Sequence, residues 1–172
     1  MRTDILAGFV SRLQFTPMSK DLADAVVRQA RTILARHPAL AHRWEQHQNS
    51  QELVFPASES TGFDVTVSIS REGVIVLASG AHQHFGPIEG QSEESIAAEA
   101  LGLVRDLLSP DMRVREFRAA GSPYRWTMEI CTADGWKATE TTGLLFWNYF
   151  GRRSQRVFQN QTLPGHLGNA AG

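Results

Sequence analysis

One pair of residues in the sequence carries a spacing that suits a metal ion. His82-Gln83-His84, if extended, directs both imidazoles to one side, and Glu89 or His166 could supply a third ligand, the minimum for a catalytic zinc with an open position. The pair lacks a third ligand close in sequence and lies in a glycine-containing stretch, where two histidines are more often solvated than ligating, so no cofactor is expected. Cys131 follows Thr127-Met128-Glu129-Ile130 at a strand end. A nucleophilic thiol needs a depressed pKa and a neighbouring base, and its position implies neither; a small structural side chain is the simpler reading. The chain has no G-x-S-x-G elbow, Walker A loop or H-E-x-x-H, and Gly86-Pro87-Ile88-Glu89-Gly90 lacks the strand-to-helix lysine context of a phosphate loop. The pattern leans away from an enzyme.

Arginine supplies a second kind of chemistry. Arg152, Arg153 and Arg156 cluster about the last turn, while Arg113 and Arg115 share one face of an earlier strand. With nearby aromatics they could clamp phosphate and stack a base, as single-strand binders do; equally they suit a hydrated turn whose charges keep a sheet edge from pairing. Only Lys20 and Lys137 among the 17 basic residues are lysines, and arginine's planar donor fork suits carboxylate or phosphate. Nine of the 15 aromatic residues fall between Phe117 and Phe158. Within Leu144 to Phe150 both faces of a strand are apolar: Leu144, Phe146 and Phe150 on one side, Leu145, Trp147 and Tyr149 on the other. Something must cover the second face, either another layer of this chain or a dimer, partner or ligand surface.

Composition narrows the setting. A chain of 172 residues with 42% hydrophobic and 20% charged residues can bury an ordinary core, which excludes a disordered or collagen-like chain. The net charge of -1 and pI of about 6.6 count against a dedicated nucleic-acid binder. That charge is unevenly laid out: residues 1–50 hold seven basic and four acidic side chains, residues 51–110 two and nine, and residues 111–172 eight and five, giving +3, -7 and +3. The single Cys131 favours a reducing compartment. Ile5, Leu6, Ala7, Phe9 and Val10, broken by Gly8 and followed by Arg12, form neither a signal-peptide core nor a membrane span, so a soluble cytoplasmic protein is expected. Asn160-Gln161-Thr162 fits the glycosylation pattern but has no secretory signal to give it meaning.

The elements that must position these residues follow from periodicity. Thr16-Pro17 starts a helix running to about His37, with Leu22, Val26, Ala30 and Ile33 as its apolar stripe; Ser92 caps a second, with Ile96, Ala100, Val104 and Leu107 or Leu108 inward. Shorter helices are expected over Ile5 to Leu13 and around Leu40 and Trp44. Phe63, Val65, Val67 and Ile69 alternate with polar residues as a strand, Arg71-Glu72-Gly73 forms a three-residue hairpin loop, and Val74 to Leu77 returns; Leu53 to Phe55 is a shorter strand and Ser79 to Gln91 a loop. Met112 to Ala119, Tyr124 to Cys131, Trp136 to Thr141, Leu144 to Phe150 and Gln155 to Gln159 read as a closing succession of strands joined by short turns.

The expectation is an α+β fold: an antiparallel sheet, made of a C-terminal meander and a central hairpin, packed against two main amphipathic helices. Residues 1–160 form one domain and 161–172 a flexible tail. The leading functional reading is a small non-catalytic binding protein of the inhibitor, immunity or adaptor kind. It presents Leu145, Trp147 and Tyr149, rimmed by Arg152 and Arg153, to another protein or to itself. The alternative is an enzyme or ligand binder with a pocket around His82, His84 and Glu89, and a third is nucleic-acid binding through Arg152, Arg153 and Arg156.

Overall fold

The computed structural model describes residues 20–71, 73–87, 89–143 and 151–165. The expected helix over Ile5 to Leu13, the start at Thr16-Pro17, the strand carrying Leu145, Trp147 and Tyr149, His166 and the final residues of the tail lie outside the described residues.

Helix α1 spans Lys20–Arg36, with Asp21 in its first turn and Arg36 in its last, as the helix dipole favours. Its inward stripe, Leu22, Ala25, Val26, Ala30 and Leu34, is buried. The helix stops at Pro38, which lacks an N–H and disfavours helical backbone at His37. The chain that follows corrects the short helix expected around Leu40 and Trp44. The Leu40 amide donates to the His37 carbonyl at 2.9 Å, and Trp44 falls on strand β1, Arg43–Gln46, opposite Leu53. The i, i+4 spacing of two apolar residues is satisfied by a buried turn residue and a strand residue that both reach the same core.

β1 opens an antiparallel meander with β2 Ser50–Phe55, β3 Val65–Ser70, β4 Gly73–Ala78 and β5 Ala81–Phe85, paired in chain order. Val65, Val67 and Ile69 of β3, and Val74 and Val76 of β4, are buried on one face, each full burial stabilising by about 1.5–3 kcal/mol. Gly73 pairs with Ser70, so the β3–β4 connection is one residue shorter than expected. Strand β5 corrects the loop expected over Ser79 to Gln91. Ser79 (φ 49) and Gly80 (φ 89) both take left-handed backbone, the geometry of a two-residue hairpin turn, and Ala78 pairs with Ala81.

Helix α2, Glu93–Leu107, begins as expected: the Ser95 amide donates to Ser92 Oγ at 3.3 Å, and Glu93 and Glu94 fill the first turn. It buries Ile96, Ala97, Ala100, Leu101, Val104 and Leu107. It is joined to α1 by the Arg28–Glu94 ion pair and by Gln29 Nε2 donating to Glu94 Oε2 at 2.7 Å. The Gln29 hydrogen bond, followed by the Arg28 charge, holds the exposed Glu94 carboxyl below its usual range.

A second sheet follows. β6 Met112–Ala119, β7 Ser122–Thr132 and β8 Gly135–Gly143 run as consecutive hairpins, and β9 Arg153–Phe158 returns to pair with β6, giving the order β8-β7-β6-β9. β9 starts two residues earlier than the strand expected from Gln155. The two sheets and two helices share one core, to which the second sheet contributes Met112, Val114 and Met128. Asn160, 2% exposed, ties the layers: its Oδ1 accepts from the Phe63 amide, and its Nδ2 donates to the Phe63 and Leu107 carbonyls, each at 3.1 Å. A Cβ at Gly62 would sit 2.5 Å from that Oδ1, so this contact requires glycine. Beyond Asn160, the Thr162 and Leu163 amides both donate to the Leu108 carbonyl and Leu163 is buried, so packing continues to at least Leu163. No helix among the described residues is long and apolar enough to cross a membrane.

Candidate functional site

Because β6 and β7 alternate, burying Met112, Val114 and Met128 turns Arg113, Arg115, Thr127 and Glu129 to the opposite, outward face. Register then assembles a cationic surface. Arg113 faces Glu129, Arg115 faces Thr127 and Val157, and Phe117 faces Arg125 and Gln155. Three guanidinium groups lie over aromatic rings: Arg125 on Phe117 at 3.8 Å, Arg113 on Trp136 at 4.0 Å and Arg153 on Tyr124 at 5.0 Å from guanidinium carbon to ring centroid. Such stacks fix a long flexible side chain and hold its charge over the ring. Val157, 44% exposed, adds an apolar spot at the edge.

One carboxylate organises the middle of this face. Glu129 accepts from Arg113 Nε at 2.6 Å and from Arg115 Nε at 2.8 Å, the three side chains being only 11%, 18% and 24% exposed. Arg115 also donates to Gln155 Oε1 at 2.9 Å. Burial is the largest influence on Glu129 and pushes its pKa up, but the hydrogen bonds from Arg115 and Arg113 outweigh it and hold the carboxyl below the usual range. The bond to Glu129 raises Arg115 in turn. Among the described residues this face carries four arginines and one glutamate, an excess of positive charge.

The expected arginine cluster is divided. Arg153 joins the outward face through its register with Ala119, Arg152 is exposed just before β9, and Arg156 sits opposite Glu116 on the other side of the sheet. Of the expected aromatic cluster, Leu145, Trp147 and Tyr149 lie outside the described residues. The expected sharing of one face by Arg113 and Arg115 is seen directly.

His82 and His84 stand on β5 rather than in a loop, opposite Leu77 and Ile75 on the outward side of the first sheet. Their rings meet edge to face at a centroid distance of 5.1 Å. β5 leans on β8, with the His82 amide donating to Thr142 Oγ1 at 3.2 Å, and Trp126 of β7 packs on the β4–β5 turn so closely that a Cβ at Gly80 would lie 2.5 Å from its ring. Between β5 and β8 lies an open cavity of ≈ 540 Å³ lined by His82, Gln83, His84, Glu140, Thr141, Thr142 and Gly143. Glu89 does not complete a ligand set with the histidines. Among the described residues, the set of three potential ligands with donor atoms within 4.8 Å of one another is Glu45, His47 and Glu52 at the other edge of the same sheet. Sequence reasoning missed that set because Glu52 is joined to Glu45 through register; the Glu-x-His alternation at 45 and 47 was its only local trace. Cys131 is half-buried in β7 opposite Trp136, and the buried Asn160 amide is wholly engaged within the fold.

No family model, no curated protein and no solved structure matches the chain at a significant level. The functional reading therefore rests on geometry.

Proposed function

We propose that the chain is a non-catalytic binding protein that presents the outward face of its second sheet to a carboxylate-rich surface of another protein. The observation that carries this reading is the set of three arginines stacked on rings of one sheet face. A stacked guanidinium has already lost much of its rotational freedom, so a partner carboxylate gains a bidentate bond at reduced entropic cost. The same stacking argues for carboxylate over nucleobase, because the ring faces on which a base would lie are occupied by the chain's own arginines. The near-neutral charge of the chain agrees with a local patch rather than a field suited to a phosphate backbone. We place this activity in the cytoplasm, in keeping with a single cysteine.

The test is titration by fluorescence anisotropy of labelled oligoglutamate and of oligothymidylate of equal charge. The expected result is tighter binding of oligoglutamate, weakened about fivefold in an Arg125→Ala/Arg153→Ala variant, two exposed ion pairs being worth about 0.5 kcal/mol each. Equal weakening by Arg71→Ala, on the β3–β4 turn, or preference for the nucleotide, would sink the reading.

A second reading draws on the cavity between β5 and β8, where two imidazoles, the Glu140 carboxylate and two threonine hydroxyls border one polar space. That arrangement suits a small polar ligand. Its mark would be a small molecule that shifts the His82 and His84 ring resonances without touching those of the arginine face.

A further inference from the structure

The β1–β2 hairpin places Glu45 directly opposite Glu52. Two like charges at facing positions destabilise a sheet unless a positive group lies between them. His47, two residues beyond Glu45, projects to the same side, its Nε2 3.6 Å from Glu52 Oε2 and 4.0 Å from Glu45 Oε2. All three donor atoms lie within 4.8 Å of one another. Ligand atoms around a tetrahedral ion with bonds near 2.1 Å stand about 3.4 Å apart, so small side-chain rotations close the set on a metal.

We infer that Glu45, His47 and Glu52 form a binding site for a divalent transition-metal ion of the zinc class. Two further contacts prepare it. The His47 amide donates to the Ser50 carbonyl at 2.8 Å, pinning the imidazole's backbone at the turn. Arg43 Nε donates to Glu45 Oε1 at 2.5 Å, which orients that carboxylate and leaves Oε2 for the ion, as outer-shell partners do in metal centres. Two carboxylates balance the charge of a dication, and one imidazole with two oxygens suits Zn2+ or Mn2+ better than a soft ion such as Cu+. Three protein ligands leave a fourth position open to water or to a donor from a partner. The site lies on the first sheet and is independent of the arginine face.

Calorimetric titration of the full chain with Zn2+ near neutral pH tests the site. The expected result is one site that weakens at least about tenfold in His47→Gln and in Glu52→Gln, and persists in His82→Gln/His84→Gln. Mn2+ added to the unsubstituted protein should broaden the amide resonances of Glu45, His47 and Glu52 before any others, a readout that needs no variant to fold. No zinc binding, binding indifferent to His47→Gln, loss on replacing His82 and His84, or broadening that begins elsewhere would each overturn the proposal.

Discussion

The two sheets turn outward faces of opposite character. On the first, β3 shows Thr66, Ser68 and Ser70, β4 shows Ile75 and Leu77, and carboxylates and imidazoles stand at the margins. On the second, arginines lie over Phe117, Trp136 and Tyr124 around one glutamate. Both alternate with buried residues of one core, so hydrophobic patterning is common to them and does not distinguish them. The difference lies in how charge is arranged. Glu129 sits among arginines that bond to it, whereas Glu45 faces Glu52 across a ladder. The first arrangement meets its carboxylate with two arginines inside the sheet; in the second Arg43 meets one oxygen of Glu45, while the other and the Glu52 carboxylate converge with His47 on one point, a geometry suited to a cation.

The contrast depends on the joint where the two sheets meet, and the largest effect is expected there. Gly80→Val puts a branched side chain at φ +89 against the Trp126 ring and should destabilise by about 2–4 kcal/mol, read by denaturant unfolding, with a shift in tryptophan emission. An unchanged midpoint would mean that the β4–β5 turn and β7 do not meet.

Next comes Glu129→Gln, which leaves two largely covered arginines without their countercharge and should cost about 1–3 kcal/mol at neutral pH. The pH window follows from the sign of the shift. The folded carboxyl titrates below the unfolded one, at about 4.3, so its contribution is full above that value and is lost as pH falls through the lower, folded pKa. Unfolding midpoints should therefore fall with acid below about pH 4 in the unsubstituted protein and less so in Glu129→Gln. The smallest effect is expected on the first sheet. Glu52→Gln removes one of two facing charges and should change stability by no more than about 0.5 kcal/mol in metal-free buffer, in the stabilising direction. A loss as large as that at Glu129 would erase the distinction between the faces.

Much of the architecture was legible along the chain. The Ser92 cap, the Leu22 stripe and the alternation of Val65, Val67 and Ile69 are local signals acting at spacings of two to four residues, and each appears where its period places it. β1 was missed because Arg43–Gln46 has one apolar residue and becomes a strand by pairing with β2. β5 was hidden by Gly86, Pro87 and Gly90, although Ser79-Gly80 is a hairpin signal and Ala81 and Phe85 lie on the buried side. The sites were less legible for one physical reason. Arg113 with Trp136, Arg125 with Phe117 and Glu45 with Glu52 are cross-strand encounters fixed by register, and register is set by the whole sheet. The alternation of Arg113 and Arg115 could be read in advance because both stand on one strand.

Asn160 carries a consequence for how the molecule comes into being. Its amide is bonded to Phe63, 97 positions earlier, and to Leu107, 53 positions earlier. A growing chain that has released only the first sheet and α2 therefore has the backbone groups of Phe63, in the β2–β3 connection, and of Leu107, at the end of α2, waiting for a partner not yet made. Contacts of such sequence separation slow folding, because the loop they close must be ordered before it is rewarded. Asn160→Ala should accordingly leave helix formation intact and slow refolding as read by stopped-flow fluorescence, making the side chain at position 160 a timekeeper for the middle of the chain.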